Sequence, residues 1–548
     1  MNRVLVIGLD GATFDVIHLL AEQGRLPNLM RLMEKGVWGE LRSTMPPITP
    51  TAWTSFFTGK NPGKHGIYDF QELDPLTYQF RPVRADRHEE KTVWQLLTEA
   101  GLTSVVIDVP FTYPPTPIEG IMITGYGTPR TSGTVCSYPA NLANMLPENL
   151  RDEVRVALPD CRFDRSRAFV EEWRAVMNGR SRLLRHLLQN YPWHFFMTVF
   201  TITDNMAHVF WTYVEPTHPN YHKPEAAEFR EAFYGAYEQC DQLVGEMLEL
   251  VDSDTAVLIM SDHGFGSVRP RQYIFQRLLD GGYLRYQNKG KWHFGRDWLI
   301  KTAVRTYNQF PILRETVKRL RPRQQNRLKQ TLRHSGLLPS GELLDPARSR
   351  IIPSNYGLQM WVNDNGRFAH GLVSPAQRES LLTDLTSYLL ADRDKITNSP
   401  IISAVYRSED LYQGPASIYG PDLVIDYANF YQPQHPAKTL NPFLEGGHTP
   451  NGIFIGYGKP FQQGQLTQAH LIDLAPTILH LLAQPIPPDM DGHVLAEALQ
   501  PDYLTQHPVR IGDKPAHWAE GKRPLSSASF TPEEEADFKN QLKQLGYL

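Results

Sequence analysis

Cysteine is scarce in this 548-residue chain, which has only Cys136, Cys161 and Cys240. Three widely spaced thiols can build neither a disulfide framework nor a thiolate zinc site, and they point to a reducing compartment. Long apolar runs are also missing: no stretch approaches the roughly 18 uninterrupted apolar residues of a membrane-spanning helix. The opening Val4-Leu5-Val6-Ile7-Gly8-Leu9-Asp10 is too short for a signal h-region and ends in an acid rather than a small-residue cleavage site. It reads as a buried first strand, and a cytoplasmic location is the expectation. Nor is there a strong excess of one charge. A formal net charge of −4 argues against an overall field built to hold nucleic acid. Internal repeats and low-complexity tracts are absent.

What remains is ordinary globular composition, 41% hydrophobic and 21% charged. The length exceeds what one core usually fills, so either a large domain with an insertion or two domains is expected. Short β-branched runs at Val4 to Leu9, Ser104 to Val109, Phe195 to Phe200, Ala256 to Met260, Leu423 to Asp426 and Ile453 to Gly456 read as strands. Helical patterns lie between them, at Phe163 to Asn190, Pro224 to Val251 and Ala469 to Leu482. Buried strands alternating with helices predict an α/β fold, a doubly wound and mostly parallel sheet covered on both faces. In such sheets chemistry gathers at the carboxyl ends of the strands.

This rhythm breaks between about Gly266 and Leu440, read as an inserted cap. Inside it, Lys289 to Arg333 carries many Lys and Arg but only Asp297 and Glu315 as acids. Such a run is more often a solvated helix face than a binding surface. The expected organisation is a core of residues 1–265 and 441–518, a cap of 266–440, and a tail of 519–548. A terminal helix should start at Thr531-Pro532-Glu533-Glu534, with an N-cap, a proline at the first helical position and early acids, and Gly546 should follow its last turn.

Several polar residues follow the strands. Asp10 stands directly after the first one; taken alone, such an aspartate is usually a turn residue or helix cap. Asp262-His263-Gly264 delivers an oxygen and an imidazole together at a strand end, donor chemistry that zinc or manganese accepts, although an Asp-His-Gly turn can merely end a strand. Asp204 and His208 are four apart and share one face of a helical turn, a spacing equally suited to a surface pair. His448, in Gly446-Gly447-His448-Thr449-Pro450, reads as part of a flexible loop. In Pro47-Ile48-Thr49-Pro50-Thr51 a helix should begin near Thr49, whose hydroxyl would then lie where backbone N–H groups favour an alkoxide or a phosphate oxygen. A plain N-cap fits that position too, and Thr51 is the second candidate nucleophile.

The joint order of Asp10, Thr49, Asp204 with His208, Asp262-His263 and His448 resembles the alkaline phosphatase superfamily, most closely its type I phosphodiesterase and nucleotide pyrophosphatase branch. Leu5 to Gly11, Thr49 to Gly59, Asn61 to Ile67, Ser261 to Gly264, Gly447-His448, Ala475 to Ile478, Asp489 to Gly492 and Leu545 to Leu548 extend the resemblance along the chain. It implies two divalent metal ions, zinc first and manganese second. Asp204, His208 and His448 would hold one; Asp10, Asp262, His263 and the Thr49 hydroxyl would hold the other. It further implies that Thr49 is the nucleophile and forms a phosphothreonine. The branch places an asparagine about twenty residues after its nucleophile, where this chain reads Tyr68-Asp69-Phe70-Gln71. The group that binds a phosphate oxygen is therefore unassigned, with Asn61 and Lys64 the nearest candidates.

A small-molecule phosphodiester or pyrophosphate is the expected substrate. The runner-up is a phosphomonoesterase or phosphate-transferring mutase on the same scaffold. A sulfatase would need a cysteine or serine at the nucleophile position, and none of the three cysteines lies near Thr49. A non-catalytic protein attaching to anionic membrane surfaces through Lys289 to Arg333 is the remaining, less favoured reading.

Overall fold

The computed structural model describes residues 2–88, 90–154, 167–269, 272–286, 344–430, 441–442, 444–517 and 530–544. The basic segment Lys289 to Arg333, Cys161, the first residues of the helix expected from Phe163, and Gly546 lie outside the described residues. Two compact units are present, one made of Met1–Glu72, Arg81–Arg269 and Leu390–Tyr547, the other of Leu73–Phe80, Pro270–Leu389 and Leu548. No helix among the described residues is long and apolar enough to cross a membrane.

The first unit is built on a nine-stranded sheet. In chain order its elements are β1 (Val4–Leu9), α1 (Phe14–Glu22), α2 (Pro27–Lys35), β2 (Val37–Arg42), α3 (Thr49–Thr58), α4 (Val93–Glu99), β3 (Ser104–Val109), β4 (Gly120–Thr124) and β5 (Ser137–Tyr138). Then come α5 (Arg167–Asn190), β6 (Phe195–Phe200), α6 (Ile202–Val214), α7 (Ala226–Leu248), β7 (Ala256–Met260) and β8 (Gly264–Val268). The C-terminal part adds β9 (Glu445–Thr449), β10 (Asn451–Tyr457), β11 (Gly464–Gln465), α8 (Leu474–Leu481) and α9 (Pro532–Gln544).

Strand order is β11-β2-β10-β7-β1-β6-β3-β4-β5. The five central strands from β7 to β4 are parallel, and β10 and β5 run antiparallel on either side of them. The apolar runs of β1, β6 and β7 are buried on both faces, as a doubly wound α/β sheet requires. On one face Val4, Val6, Phe195, Met197, Leu258 and Met260 pack with Trp53, Phe56, Trp94 and Ile478 from α3, α4 and α8.

The strand at Leu423–Tyr427 forms, but outside the nine-stranded sheet, where it pairs antiparallel with Ile402–Arg407. The terminal helix carries the expected N-cap, which the structure extends to a capping box: the Glu534 N–H donates to Thr531 Oγ1 at 3.2 Å and the Thr531 N–H donates to Glu534 Oε2 at 2.9 Å. In the second unit Ile351–Pro353 and Gln359–Val362 pair antiparallel, and the Tyr388 hydroxyl donates to the Arg277 carbonyl at 3.1 Å, tying the helix Pro375–Leu390 to Gln272–Asp280.

Candidate metal centre and nucleophile

The parallel strands β1, β6 and β7 end side by side, so the residues just beyond them converge. Asp10 follows β1, Asp204 and His208 lie in the first two turns of α6 directly after β6, and Asp262 and His263 follow β7. Ligand atoms of Asp10, Asp262 and His263 lie within 4.8 Å of one another, and so do those of Asp204, His208 and His448. All belong to the first unit.

His448 reaches its group from a strand. The Gly446-Gly447 pair, read from sequence as a flexible loop, sits in β9, which pairs antiparallel with β8 so that His448 lies opposite Phe265. The glycines are there for close packing. A Cβ on Gly446 would lie 2.6 Å from Trp211 Cβ, and one on Gly447 would lie 2.5 Å from Val268 Cγ2.

The two groups abut. The rings of His263 and His448, one from each, stack with centroids 3.6 Å apart. Gly11, at φ +66°, lies against both: its N–H donates to Asp262 Oδ1 at 3.4 Å, and a Cβ on it would lie 3.0 Å from Asp204 Oδ1. A side chain there would be strained by its backbone as well as by contact.

Hydrogen bonds set which imidazole nitrogens are bare. His448 Nδ1 is 2.9 Å from the Pro47 carbonyl and His263 Nδ1 is 3.0 Å from the Gly264 carbonyl. A carbonyl only accepts, so each Nδ1 carries a proton, and Nε2 is the nitrogen of each ring left to offer a lone pair to a cation. His448 Nε2 lies 3.0 Å from His208 Nε2 and 3.3 Å from Asp204 Oδ1. Three donor atoms thus crowd around one point. His263 Nε2 lies 3.3 Å from Asp262 Oδ2 and 3.8 Å from Asp10 Oδ1.

The carboxyl groups are short of hydrogen-bond partners. Asp10 Oδ1, Asp204 Oδ1 and Asp262 Oδ2 are buried without a hydrogen-bond partner. Burial, with Asp262 and Asp204 nearby, pushes the Asp10 carboxyl well above the usual range; burial and Asp204 do the same to Asp262. Burial opposes ionisation of Asp204 too, but His208 and His448 overcome it and hold its carboxyl well below the usual range. Burial, then His448, keeps His263 neutral. Oxygen and nitrogen donors with orphaned carboxylate oxygens in two adjoining sets fit divalent cations.

Thr49 is the first residue of α3, after an extended Ile48, and its hydroxyl lies 3.4 Å from His263 Nε2. It is buried at the helix N-terminus, where free N–H groups favour negative charge. The Thr51 hydroxyl is buried without a hydrogen-bond partner.

Sequence reasoning missed Trp53. It lies four residues along from Thr49, on the same face of α3, and its indole Nε1 donates to Asp10 Oδ2 at 3.1 Å. Gly8 makes room for the ring, since a Cβ there would lie 2.8 Å from Trp53 Cη2. Asn61 and Lys64 prove to be committed elsewhere. Asn61 caps Gly63 and binds Asp491 and Gln413, while Lys64 Nζ binds Asp491 Oδ1 at 2.5 Å and the Asp489 carbonyl at 2.8 Å. Neither is free to meet a phosphate. Asp69, in the stretch where an asparagine was expected, is buried, and burial pushes its carboxyl well above the usual range.

Among solved structures, murine ectonucleotide pyrophosphatase/phosphodiesterase 5 in an inactive form with AMP aligns at 13% identity and TM-score 0.47, covering 91% of this chain and 100% of that one. Its human counterpart aligns at 13% and 0.46, again covering 91% of this chain and 100% of that chain. Phosphonoacetate hydrolase from Sinorhizobium meliloti in complex with phosphonoformate aligns at 14% and 0.48, covering 88% of this chain and 95% of that chain. A search of curated proteins finds no match. The sequence profile of the type I phosphodiesterase/nucleotide pyrophosphatase family, a group of phosphoester hydrolases, matches residues 4–425, and the chain belongs to that family.

Proposed function

We propose that the chain is a two-metal hydrolase that cleaves phosphodiester or nucleotide-type pyrophosphate links through a phosphothreonine on Thr49. The observation that carries this reading is the pair of abutting buried donor sets beside a threonine hydroxyl at a helix N-terminus. Asp204, His208 and His448 would hold one ion, and Asp10, Asp262, His263 and the Thr49 hydroxyl the other. With nitrogen and oxygen donors and no thiolate, zinc is the first choice and manganese the second. Bound cations would neutralise the buried carboxylates, favour the Thr49 alkoxide and stabilise the leaving oxygen.

Thr49 Oγ1 forms a bond to phosphorus as the bond from phosphorus to the leaving alcohol or phosphate breaks. Water then cleaves the phosphothreonine, restoring the hydroxyl and releasing the remaining phosphate ester. The N–H groups at the start of α3 favour the negative charge that develops there. The carbonyls of Pro47 and Gly264 hold two imidazoles in the tautomer that leaves Nε2 bare throughout.

The diester preference rests on charge. A monoester dianion gains most from a bidentate cationic clamp, yet no arginine follows Arg42 near Thr49 in sequence, and the nearby Lys64 is engaged with Asp491. The test compares an aryl phosphate with its methyl or nucleotidyl ester on one preparation with saturated metal sites. The diester should react with the higher kcat/KM. A clear preference for the monoester would reject the diesterase assignment and leave the phosphatase or mutase reading.

A further inference from the structure

Glu215 is a buried carboxylate, 1% exposed, that plays no part in the chemistry described above. It stands one residue past the end of α6, the helix that carries Asp204 and His208. One of its oxygens, Oε1, accepts the Thr217 N–H at 2.9 Å and the Thr217 hydroxyl at 2.7 Å. The other, Oε2, accepts a short hydrogen bond from the Ser267 hydroxyl. Ser267 Oγ in turn accepts the indole N–H of Trp211, also on α6, at 2.8 Å. Ser267 lies on β8, opposite Gly446 of β9, and its own N–H donates to Asn429 Oδ1 at 3.0 Å.

The Glu215–Ser267–Trp211 chain therefore fastens the helix that bears two donors of one set to the two-stranded sheet of β8 and β9 that bears the third. Ring contacts run along the same seam: Trp211 to Phe265 at 5.1 Å, Phe265 to His208 at 5.0 Å and Phe265 to His448 at 5.8 Å. The missing Cβ of Gly446 lets β9 close against Trp211.

We infer that Glu215 and Ser267 are positioning residues for the Asp204–His208–His448 set, fixing the 3.0 Å approach of the two Nε2 atoms and leaving the Asp10–Asp262–His263 set untouched. This rests on the two-metal reading. The physical reason is that α6 and β9 belong to different parts of the chain and share no backbone hydrogen bonds among those described. Their spacing is therefore set by side chains, and a small displacement of one ligand relative to another is costly at a metal.

The test is zinc titration by calorimetry of full-length protein in two backgrounds. Asp262→Ala leaves the first set intact, and His208→Ala leaves the second. Adding Ser267→Ala or the isosteric Glu215→Gln should weaken zinc binding about 10- to 100-fold in the Asp262→Ala background. In the His208→Ala background the affinity should change less than about twofold. A merely structural role would instead lower the melting temperature of the metal-free protein and weaken both sites in parallel, and that result would overturn the inference. So would unchanged zinc affinity in both backgrounds. A wild-type chain that takes up no metal would overturn the two-metal reading itself, which separates the two failures.

Discussion

Removing metal from this protein should reverse the direction in which pH acts on its stability. Asp10 and Asp262 are both buried, and both carboxyls are pushed well above 3.8, their ordinary value. Between about pH 4 and the raised folded values, each carboxyl holds a proton in the folded state that it has lost in the unfolded state. Stability then falls as pH rises, by up to about 1.4 kcal/mol per pH unit for each group and about 2.7 for the two together. Asp204 has the opposite sign: its depressed carboxyl adds stability above 3.8 that is lost only as pH falls through its folded value. It is therefore silent above about pH 4. On the two-metal reading, metal would displace those protons and stabilise the fold by about 2.7 kcal/mol per ion at a hundredfold excess over Kd. Metal-free protein should thus lose stability as pH rises above about 4 towards the raised folded values of these two carboxyls, and zinc-loaded protein should not. Thermal unfolding at half-unit pH steps, with and without zinc, provides the assay. Other buried carboxyls, such as Asp69, also contribute, so the diagnostic quantity is the difference from an Asp10→Asn, Asp262→Asn variant, which should flatten the slope. A metal-free slope identical in variant and wild type would refute the reasoning.

Two further perturbations separate site geometry from scaffold. Trp53→Phe removes the indole donor to Asp10 Oδ2 and leaves that oxygen buried without a partner; it should cost about 1–3 kcal/mol and weaken zinc at the Asp10 set in a calorimetric titration. Lys60 is fully buried, with Nζ bonded to Glu90, to Asp489 Oδ2 at 2.6 Å and to the Ala516 carbonyl at 3.1 Å. Lys60→Met should destabilise by about 3–5 kcal/mol in denaturant unfolding, because Glu90 is left buried without its cation, while metal content per folded molecule stays at the wild-type level.

Much of this arrangement is legible in the sequence, for reasons that differ by element. The strands β1, β6 and β7 are continuous apolar runs because both of their faces are covered, and the acid after each is visible because a charged residue interrupts a buried run. The same signal misplaces Leu423–Tyr427, since apolarity reports burial and not the partner strand. β9 is hidden altogether: Gly446 and Gly447 read as freedom, whereas they mark contact with Trp211 and Val268. The helix expected from Ala469 begins at Leu474, after a 3-10 turn at Leu471–Asp473 in which Asp473 accepts the His470 N–H. Trp53, Glu215 and Ser267 leave no local pattern. Trp53 reaches Asp10 from 43 residues away and Glu215 reaches Ser267 from 52, so only the folded chain shows what they hold.

The central claim is that the Thr49 hydroxyl is the nucleophile beside a two-metal centre, and the direct measurement is kcat of Thr49→Ala alongside its metal content. The account predicts that turnover of a phosphodiester falls by several powers of ten, because covalent catalysis is lost while six of the seven donor residues remain. Zinc content near two per chain and an unchanged melting profile should accompany that loss. A variant that retained more than about a tenth of wild-type kcat would contradict the account and turn attention to Thr51 or to direct attack by water.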